Sequence, residues 1–391
     1  VGFQASSNEE AGTMKKSRIR EEDETWDRES RGQGNVPKKP VGIHEIALAL
    51  GVSIGTVDRA LHGRSGINPA TRDHVLKKAE QLGYRPNIAA RSLKLNRSLR
   101  IGAYFPHEIA SFFDEVRAGV SAAASTITGL NVDLVFRTFA RLGEGDLELL
   151  LADAKEGLDG VLVVPGNPRH IAPALSVLAE KRVPVVCVAS DAPRSERLAS
   201  IAVDARASGA IAAELFSRIL QKPGSLATIT GELTTLDHAE KLRGFAANLA
   251  LLAPHLTLLP AFESHEQPEL AYKQAVQLTS HKPYPLGIYL STANSISVLK
   301  ALEEKNLLGE IQIIATDLFT ELVPYIETGK VLATLYQRPY RQGKTALEIL
   351  LNYLINGIKP HVMNRLAPHI ILRSNVSLFA RGTDESGEFP A

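Results

Sequence analysis

The 391-residue chain holds a single cysteine, Cys187, inside the apolar run VPVVCVAS. That excludes an intramolecular disulfide or a cysteine-rich metal site, and it fits a reducing compartment. No apolar stretch approaches the roughly 18 to 20 residues needed to span a bilayer, and the first residues lack the apolar core of an export signal. The expected location is the cytoplasm, with no membrane partner. No G-x-S-x-G, H-E-x-x-H or Walker-type loop occurs. His107 and His238 lack the accompanying nucleophile, base and orienter that acyl transfer or hydrolysis requires. The reading is therefore no enzyme, no cofactor and no metal site.

Hydrophobic residues make up 44% of the chain and charged residues 22%, which rules out a wholly disordered or fibrous protein. The length predicts two to three domains. The net charge of +1 conceals an asymmetry: residues 38–100 carry twelve Lys or Arg against four acids, or +8, leaving −7 for the remainder. A basic module on a mildly acidic body points to a polyanionic partner at one end, because phosphate neutralisation supplies the sequence-independent part of nucleic-acid affinity. A plain solvated basic surface would give the same count.

Residues 1–39 are polar and Gly-rich, contain the acidic run 21–24, and read as a disordered tail that includes Met14. Three short helical patterns follow within 43–83. The first, IHEIALAL, puts Ile43, Ile46, Ala47 and Leu50 on one face and stops at Gly51. Ser53 stands where an N-cap belongs, and IGTVDRALH follows with Val57, Ala60 and Leu61 facing inward. Pro69 opens a third helix to about Leu82, with Val75, Leu76, Ala79 and Leu82 inward. Helix, tight Gly turn, helix and bracing helix is the layout of a DNA-binding helix-turn-helix.

Beyond Arg100 strands and helices alternate. Apolar runs at 101–105, 132–136, 160–164 and 184–188 form one series, and runs at 200–203, 226–230, 255–260, 286–290 and 311–315 a second, with helices between. This spacing predicts right-handed βαβ units and mainly parallel sheets. The fold class is thus α/β: an all-α helix-turn-helix domain followed by two doubly wound lobes. Ligands of such sheets sit beyond the carboxyl ends of strands.

Residues 42–98 resemble the DNA-binding segment of the lac repressor (LacI) family. The match comprises A-x-x-x-G-V-S-x-x-T-V-x-R from Ala47 to Arg59, T-R-x-x-V from Thr71, G-Y-x-P-N from Gly83, and A-R-S-L from Ala90. Residues 99 to about 380 resemble the family's effector domain, whose fold is that of periplasmic sugar-binding proteins. The resemblance implies a helix-turn-helix at 40–86, a hinge helix and linker at 87–98, and a two-lobed domain at 99–380. One lobe would take about 99–198 plus 338–362, the other about 199–337 plus 363–380, with a tail at 381–391. It also implies that the helix from Ile54 lies in the major groove. Ile54 and Gly55 take the main specificity positions there, Ser53 and Thr56 meet phosphates, and Arg59 reaches a base or backbone. Arg can pair bidentately with guanine, whereas Ile54 offers only apolar contact, as to a thymine methyl. In the hinge, Asn87, Ala90, Leu93 and Lys94 match positions that fold on operator DNA, with Leu93 as the minor-groove wedge, Ala90 against its dimer mate and Lys94 near groove or phosphate. Two residues depart from the pattern: Asp58 stands where the family usually has Ser, and His62 where it often has Asn.

The resemblance to ribose-type binders further implies a sugar or polyol site. Phe112 and Phe113 follow the first strand at the stacking position, and helical spacing leaves room for one of them to face ligand, the other being core. Asn167 and Asp191 follow the third and fourth strands. Arg243 takes the clamping position of the second lobe, with Asn294, Asp317 and Gln337 at strand ends and crossover. A polar residue at any of these places could instead be a helix cap. The implied protein is a homodimeric, sugar-responsive regulator of double-stranded operator DNA; a transport receptor or a sugar-modifying enzyme on the same scaffold are the alternatives. The C-terminal RGTDESGEFPA lacks leucine heptads, so no coiled-coil tetramer is expected.

Overall fold

A computed structural model of the chain describes residues 41–61, 65–82, 84, 98–126 and 131–380. They fall into two compact units, a small helical one and a large α/β one.

The small unit contains α1 (Ile43–Leu50), α2 (Ile54–Leu61) and α3 (Pro69–Gln81). Glu45 accepts a hydrogen bond from the Gly42 N–H at 2.8 Å, which starts α1. Gly51 ends it at φ 64°, a left-handed conformation open to residues without a Cβ. The Val52 N–H then bonds back to the Ala47 carbonyl at 3.1 Å. Asn68 caps α3 by accepting from Ala70 N–H at 2.9 Å, with Pro69 in the first turn. Ile46, Val57, Ala60, Leu61 and Val75 close the core. Leu76, expected inward, is instead 39% exposed; α3 packs through the Val75 and Ala79 stripe, about 100° around the helix.

The large unit is two lobes, each a parallel sheet between helical layers. In chain order its elements are β1 (Leu99–Pro106), α4 (Ala110–Ser125), β2 (Val132–Phe139), α5 (Asp146–Asp153), β3 (Gly160–Val163), α6 (Pro168–Glu180), β4 (Val185–Val188), β5 (Ala199–Val203), α7 (Ala205–Ile219), β6 (Gly224–Thr230), α8 (Leu236–Leu252), β7 (Leu256–Leu258), β8 (Phe262–Glu263), α9 (Pro268–Leu278), β9 (Gly287–Ser291), α10 (Ser295–Glu304), β10 (Gln312–Thr316), α11 (Val323–Glu327), β11 (Ala333–Tyr336), α12 (Pro339–Asn356), β12 (Met363–Leu366), β13 (His369–Ile371) and α13 (Val376–Ala380). The first sheet runs β12-β5-β4-β3-β1-β2; the second runs β13-β11-β10-β9-β6-β7, with β8 also on β6. All pairings are parallel except β11 with β13.

The lobe boundaries differ from those expected. β5 pairs with β4 from Ala199 opposite Val186, and β12 pairs with β5 from Met363 opposite Ser200. Both strands therefore belong to the first lobe, not the second. No helix separates β4 from β5, so the alternation that marks βαβ units in sequence fails there. The chain crosses between lobes three times, after Val203, after Tyr336 and after Leu366.

Each lobe buries an apolar cluster on either face of its sheet. Each also brings two helices together through a reciprocal pair of glycines. A Cβ on Gly119 would lie 2.0 Å from the Tyr340 carbonyl oxygen, and one on Gly343 equally close to that of Val116. In the second lobe a Cβ on Gly209 would lie 1.9 Å from the Lys241 carbonyl oxygen, and one on Gly244 would lie 2.0 Å from that of Arg206. Backbone lies against backbone there, so no flexible side chain can yield. Gly209→Ala should force α7 from α8 and destabilise the protein by about 1–3 kcal/mol, the usual cost of overpacking. Thermal melting of the unliganded chain checks this, and an unchanged midpoint would contradict so close an approach.

Candidate ligand cleft and nucleic-acid interface

Between the two lobes, beyond the carboxyl ends of both sheets, lies a cleft with about 460 Å³ of empty space including its mouth. Its walls differ in chemistry. The first lobe contributes Ile109, Phe112, Phe113, Leu142, Val164 and Ala189, all apolar, with Ser190 alone offering a hydroxyl. The second lobe contributes Thr235, Asp237, His238, Lys241, Glu266, Ser291, Thr292, Thr316 and Asp317, joined by Gln337 at the crossover. One wall thus suits a ring face, and the other suits groups that donate and accept hydrogen bonds.

Four non-glycine residues on this lining have left-handed backbone: Ile109 at φ 55°, Ala189 at φ 62°, Glu266 at φ 51° and Asp317 at φ 65°. Such conformations are held against their own strain by the surrounding structure. For Asp317 the fixing contacts are explicit. Its carboxyl accepts from the Gln337 N–H at 3.2 Å and from Gln337 Nε2 at 2.8 Å. Its backbone oxygen accepts from the Thr334 hydroxyl. Gln342 Nε2 in turn donates to the Gln337 carbonyl at 2.7 Å.

The first turns of α8 carry the charged part of the polar wall. Asp237 and Lys241 stand four residues apart, one helical turn, with Lys241 Nζ 2.6 Å from Asp237 Oδ2 and the Lys241 side chain 1% exposed. Burial pulls Lys241 down, but neighbouring charges led by Asp237 outweigh it and raise its pKa. His238 Nδ1 accepts the Glu232 N–H at 2.9 Å. Burial, and then the Lys241 charge, push His238 down to about 4, so the ring is neutral at physiological pH. Burial pushes Glu266 up to about 7 and Asp317 likewise to about 7. Five buried polar atoms on the lining, Ser190 Oγ, Asp237 Oδ1, Glu266 Oε1, Ser291 Oγ and Thr316 Oγ1, have no hydrogen-bond partner within the protein. Buried polar groups are normally bonded, so these are ready positions for ligand hydroxyls.

Two contacts tie the lobes together across the cleft: the Thr235 hydroxyl donates to the Gly166 carbonyl at 2.8 Å, and the Tyr336 hydroxyl to Glu115 Oε2 at 2.9 Å.

Of the sequence-predicted residues, the cleft collects Phe112, Phe113, Asp317 and Gln337. Both phenylalanines border it and both also belong to the first lobe's buried core; their rings meet edge to face at 5.0 Å. They can both do so because the first turn of α4, together with its N-cap Ile109, borders the cleft. Asn294 sits behind the lining, donating Nδ2 to Glu266 Oε2 at 3.1 Å. Three residues fall elsewhere. Arg243 is 62% exposed and pairs with Glu240; it lies two residues past Lys241, about 200° around α8, and Lys241 is the cation that enters the cleft. Asp191 forms a two-point pair with Arg197, with Oδ2 accepting from Nη2 at 2.7 Å, and borders a neighbouring cavity. Asn167 Oδ1 caps α6 by accepting from the Arg169 and His170 N–H groups at 3.0 and 3.3 Å. Asp237, Lys241 and Glu266 escaped the sequence reading. The i, i+4 spacing of the first two was a usable signal, whereas Glu266 sits in a loop without a motif.

Among the described residues, Glu232, Glu263 and His265 form one group able to hold a metal ion. His265 Nδ1 is already 2.6 Å from Glu232 Oε2, and Glu263 Oε2 accepts the Leu233 N–H at 2.9 Å. No described helix is long and apolar enough to cross a membrane.

In the helical unit, the face of α2 opposite its core presents Ile54, Gly55 and Arg59 to solvent, with Ile54 52% exposed. Ser53 caps the helix by accepting the Thr56 N–H at 3.1 Å, and their hydroxyls lie 2.8 Å apart. Donors at a helix start are a ready phosphate contact. His62 and the hinge residues Asn87, Ala90, Leu93 and Lys94 lie outside the described residues.

Two parallel-sheet lobes around such a cleft define a protein of the periplasmic-binding type, and residues 102–358 match the family described as periplasmic binding protein domain. Residues 42–87 match bacterial regulatory proteins, lacI family. The chain belongs to the periplasmic binding protein domain family through its larger module and carries a lacI-family regulatory domain at residues 42–87. It is similar to catabolite control protein A of Priestia megaterium, at 25% identity over 80% of this chain and 92% of that one. It is also similar to the HTH-type transcriptional repressor PurR of Aliivibrio fischeri, at 28% identity over 86% and 98%. In fold it resembles GanP, a glucose-galactose binding protein from Geobacillus stearothermophilus, with TM-score 0.66, 23% identity and coverage of 72% and 99%. A solute-binding protein of an ABC transporter from Burkholderia graminis, solved with D-arabinose, gives 0.67, 19%, 72% and 97%. The chain is a DNA-binding transcriptional repressor with a ligand-controlled effector domain.

The raised pKa of Glu266 has a consequence for stability. The folded state holds this proton up to about pH 7, the unfolded chain only to about 4.5. Between those values the native state binds more protons, so this group's contribution weakens as pH rises. His238, lowered to about 4, acts in the opposite sense below about pH 6.5. From pH 5.5 to 8 the unliganded Glu266→Gln variant should therefore lose less melting temperature than wild type, by several degrees. Parallel pH curves for the two proteins would contradict the assignment.

Proposed function

We propose that the protein acts in the cytoplasm as a homodimer that represses transcription from operator DNA, and that a small sugar or polyol held between its lobes sets operator affinity. The observation that carries the ligand half is the two-faced cleft. An apolar wall with Phe112 and Phe113 suits the C–H face of a sugar ring. The opposite wall offers the Asp237–Lys241 pair, Asp317, Gln337 and bare hydroxyls for vicinal OH groups. Planar polar groups that bond ligand hydroxyls discriminate well, because they are left unpaired when a hydroxyl is missing. Lys241 takes the clamping role first expected of Arg243. The protein is read as a receptor and not an enzyme, because the relatives it resembles are transcriptional regulators.

On DNA, α2 enters the major groove with Ile54 and Gly55 toward bases, Ser53 and Thr56 on phosphates and Arg59 on guanine or backbone. His62 completes that surface, while Asn87, Ala90, Leu93 and Lys94 form the hinge. Ligand closing changes the separation of the two hinges in the dimer, and one spacing lets both seat in the minor groove.

Three measurements test this. In a thermal-shift screen against monosaccharides and polyols, a ligand that raises the wild-type midpoint should lose at least about tenfold in affinity with Lys241→Met, since a charge-assisted hydrogen bond contributes about 1.5–3 kcal/mol. Arg243→Ala should behave as wild type; the reverse pattern would restore Arg243 to the site. In gel shifts with genomic fragments at low salt, Arg59→Ala should weaken retention about 10- to 100-fold. Retention of no fragment by wild type, with or without ligand, would remove the regulator reading.

A further inference from the structure

The charges on the cleft do not balance. Lys241 is the one cation on its lining among the described residues, and Asp237 holds it at 2.6 Å. Asp317 has both carboxyl oxygens engaged by Gln337. Glu266 differs. Its Oε2 accepts from the Thr292 hydroxyl at 2.8 Å and Asn294 Nδ2 at 3.1 Å, while Oε1 is buried on the lining without a hydrogen bond. His238 Nε2 lies 3.3 Å from Oε1; with Nδ1 accepting the Glu232 N–H, the neutral ring carries its proton on Nε2 and so offers Oε1 a long N–H contact but no charge. The other groups acting on Glu266 are Glu108 from the first lobe, Lys241 and Asp317, two acids against one committed cation. There is no slack behind it: a Cβ on Gly231 would lie 1.8 Å from Oε1. A carboxyl oxygen without a cationic partner, in a buried, net acidic wall, favours an incoming cation and disfavours an anion.

We propose that the ligand is an amine-bearing sugar or aminopolyol of monosaccharide size, its ammonium on Glu266 Oε1 and its ring toward Phe112 and Phe113, and that sugar acids and sugar phosphates are excluded. This rests on the reading of the cleft as a sugar site and narrows it to one chemical class.

Calorimetric titration of the full chain with matched pairs tests it: glucosamine against glucose, galactosamine against galactose, mannosamine against mannose. N-acetylglucosamine, gluconate and glucose 6-phosphate complete the series. At least one amine should bind about tenfold or more tightly than its hydroxyl parent, N-acetylation should remove that gain, and neither anion should bind. In Glu266→Gln the amine-to-hydroxyl affinity ratio should fall to about three or less; the wild-type series decides alone should that variant not fold. If parent sugars bind and amines bind no more tightly, or if a phosphate or acid binds, the inference falls while the sugar reading stands. If no sugar or amine binds at all, both fall.

Discussion

An ammonium shielded from water is tolerable only with a carboxylate beside it, and the buried pair of Lys241 and Asp237 is the constraint around which the cleft is organised. Its position is set from behind. The Lys241 backbone is pressed against Gly209, so α8 cannot move away from α7 without opening that lobe. The charge of Lys241 then reaches outward, lowering His238 and opposing the burial that raises Glu266 and Asp317. Removing this one cation would leave three acids sharing one wall.

The rest of the site is a matter of which strand ends meet. Two doubly wound sheets bring their carboxyl ends to a common cleft, and residues of left-handed backbone, Ile109, Ala189, Glu266 and Asp317, stand on its lining. Gln337 occupies one of the three crossings and is bonded on both sides, to Asp317 and to Gln342. A residue so placed feels any change in lobe angle. That gives the fold a route from ligand contact to relative lobe position, which is what a ligand-controlled effector domain needs.

Much of this could be read from the sequence, and the failures have physical causes. Apolar runs and Gly, Ser and Pro stops located the three N-terminal helices, because capping chemistry is local and leaves its signature within a few residues. The strand-end position expected for Asp317 and the crossover position implied for Gln337 both fall on the cleft lining. Arg243 misled because on a helix a shift of two residues turns a side chain to nearly the opposite face, and the motif alone does not fix that phase. Asp191 and Asn167 stand at correct strand ends, but each is consumed locally, by Arg197 and by the α6 N-terminus. Glu266 gave no signal, since its role arises from loops distant in sequence meeting around it.

The central claim is that occupation of this cleft and occupation of DNA are energetically linked, and reciprocity offers the most direct measurement of it. Operator affinity would be determined with and without saturating ligand, and ligand affinity with and without saturating operator. The account predicts the same factor in both directions, between about 5- and 150-fold. Operator affinity that stays constant while ligand demonstrably binds between the lobes would contradict it.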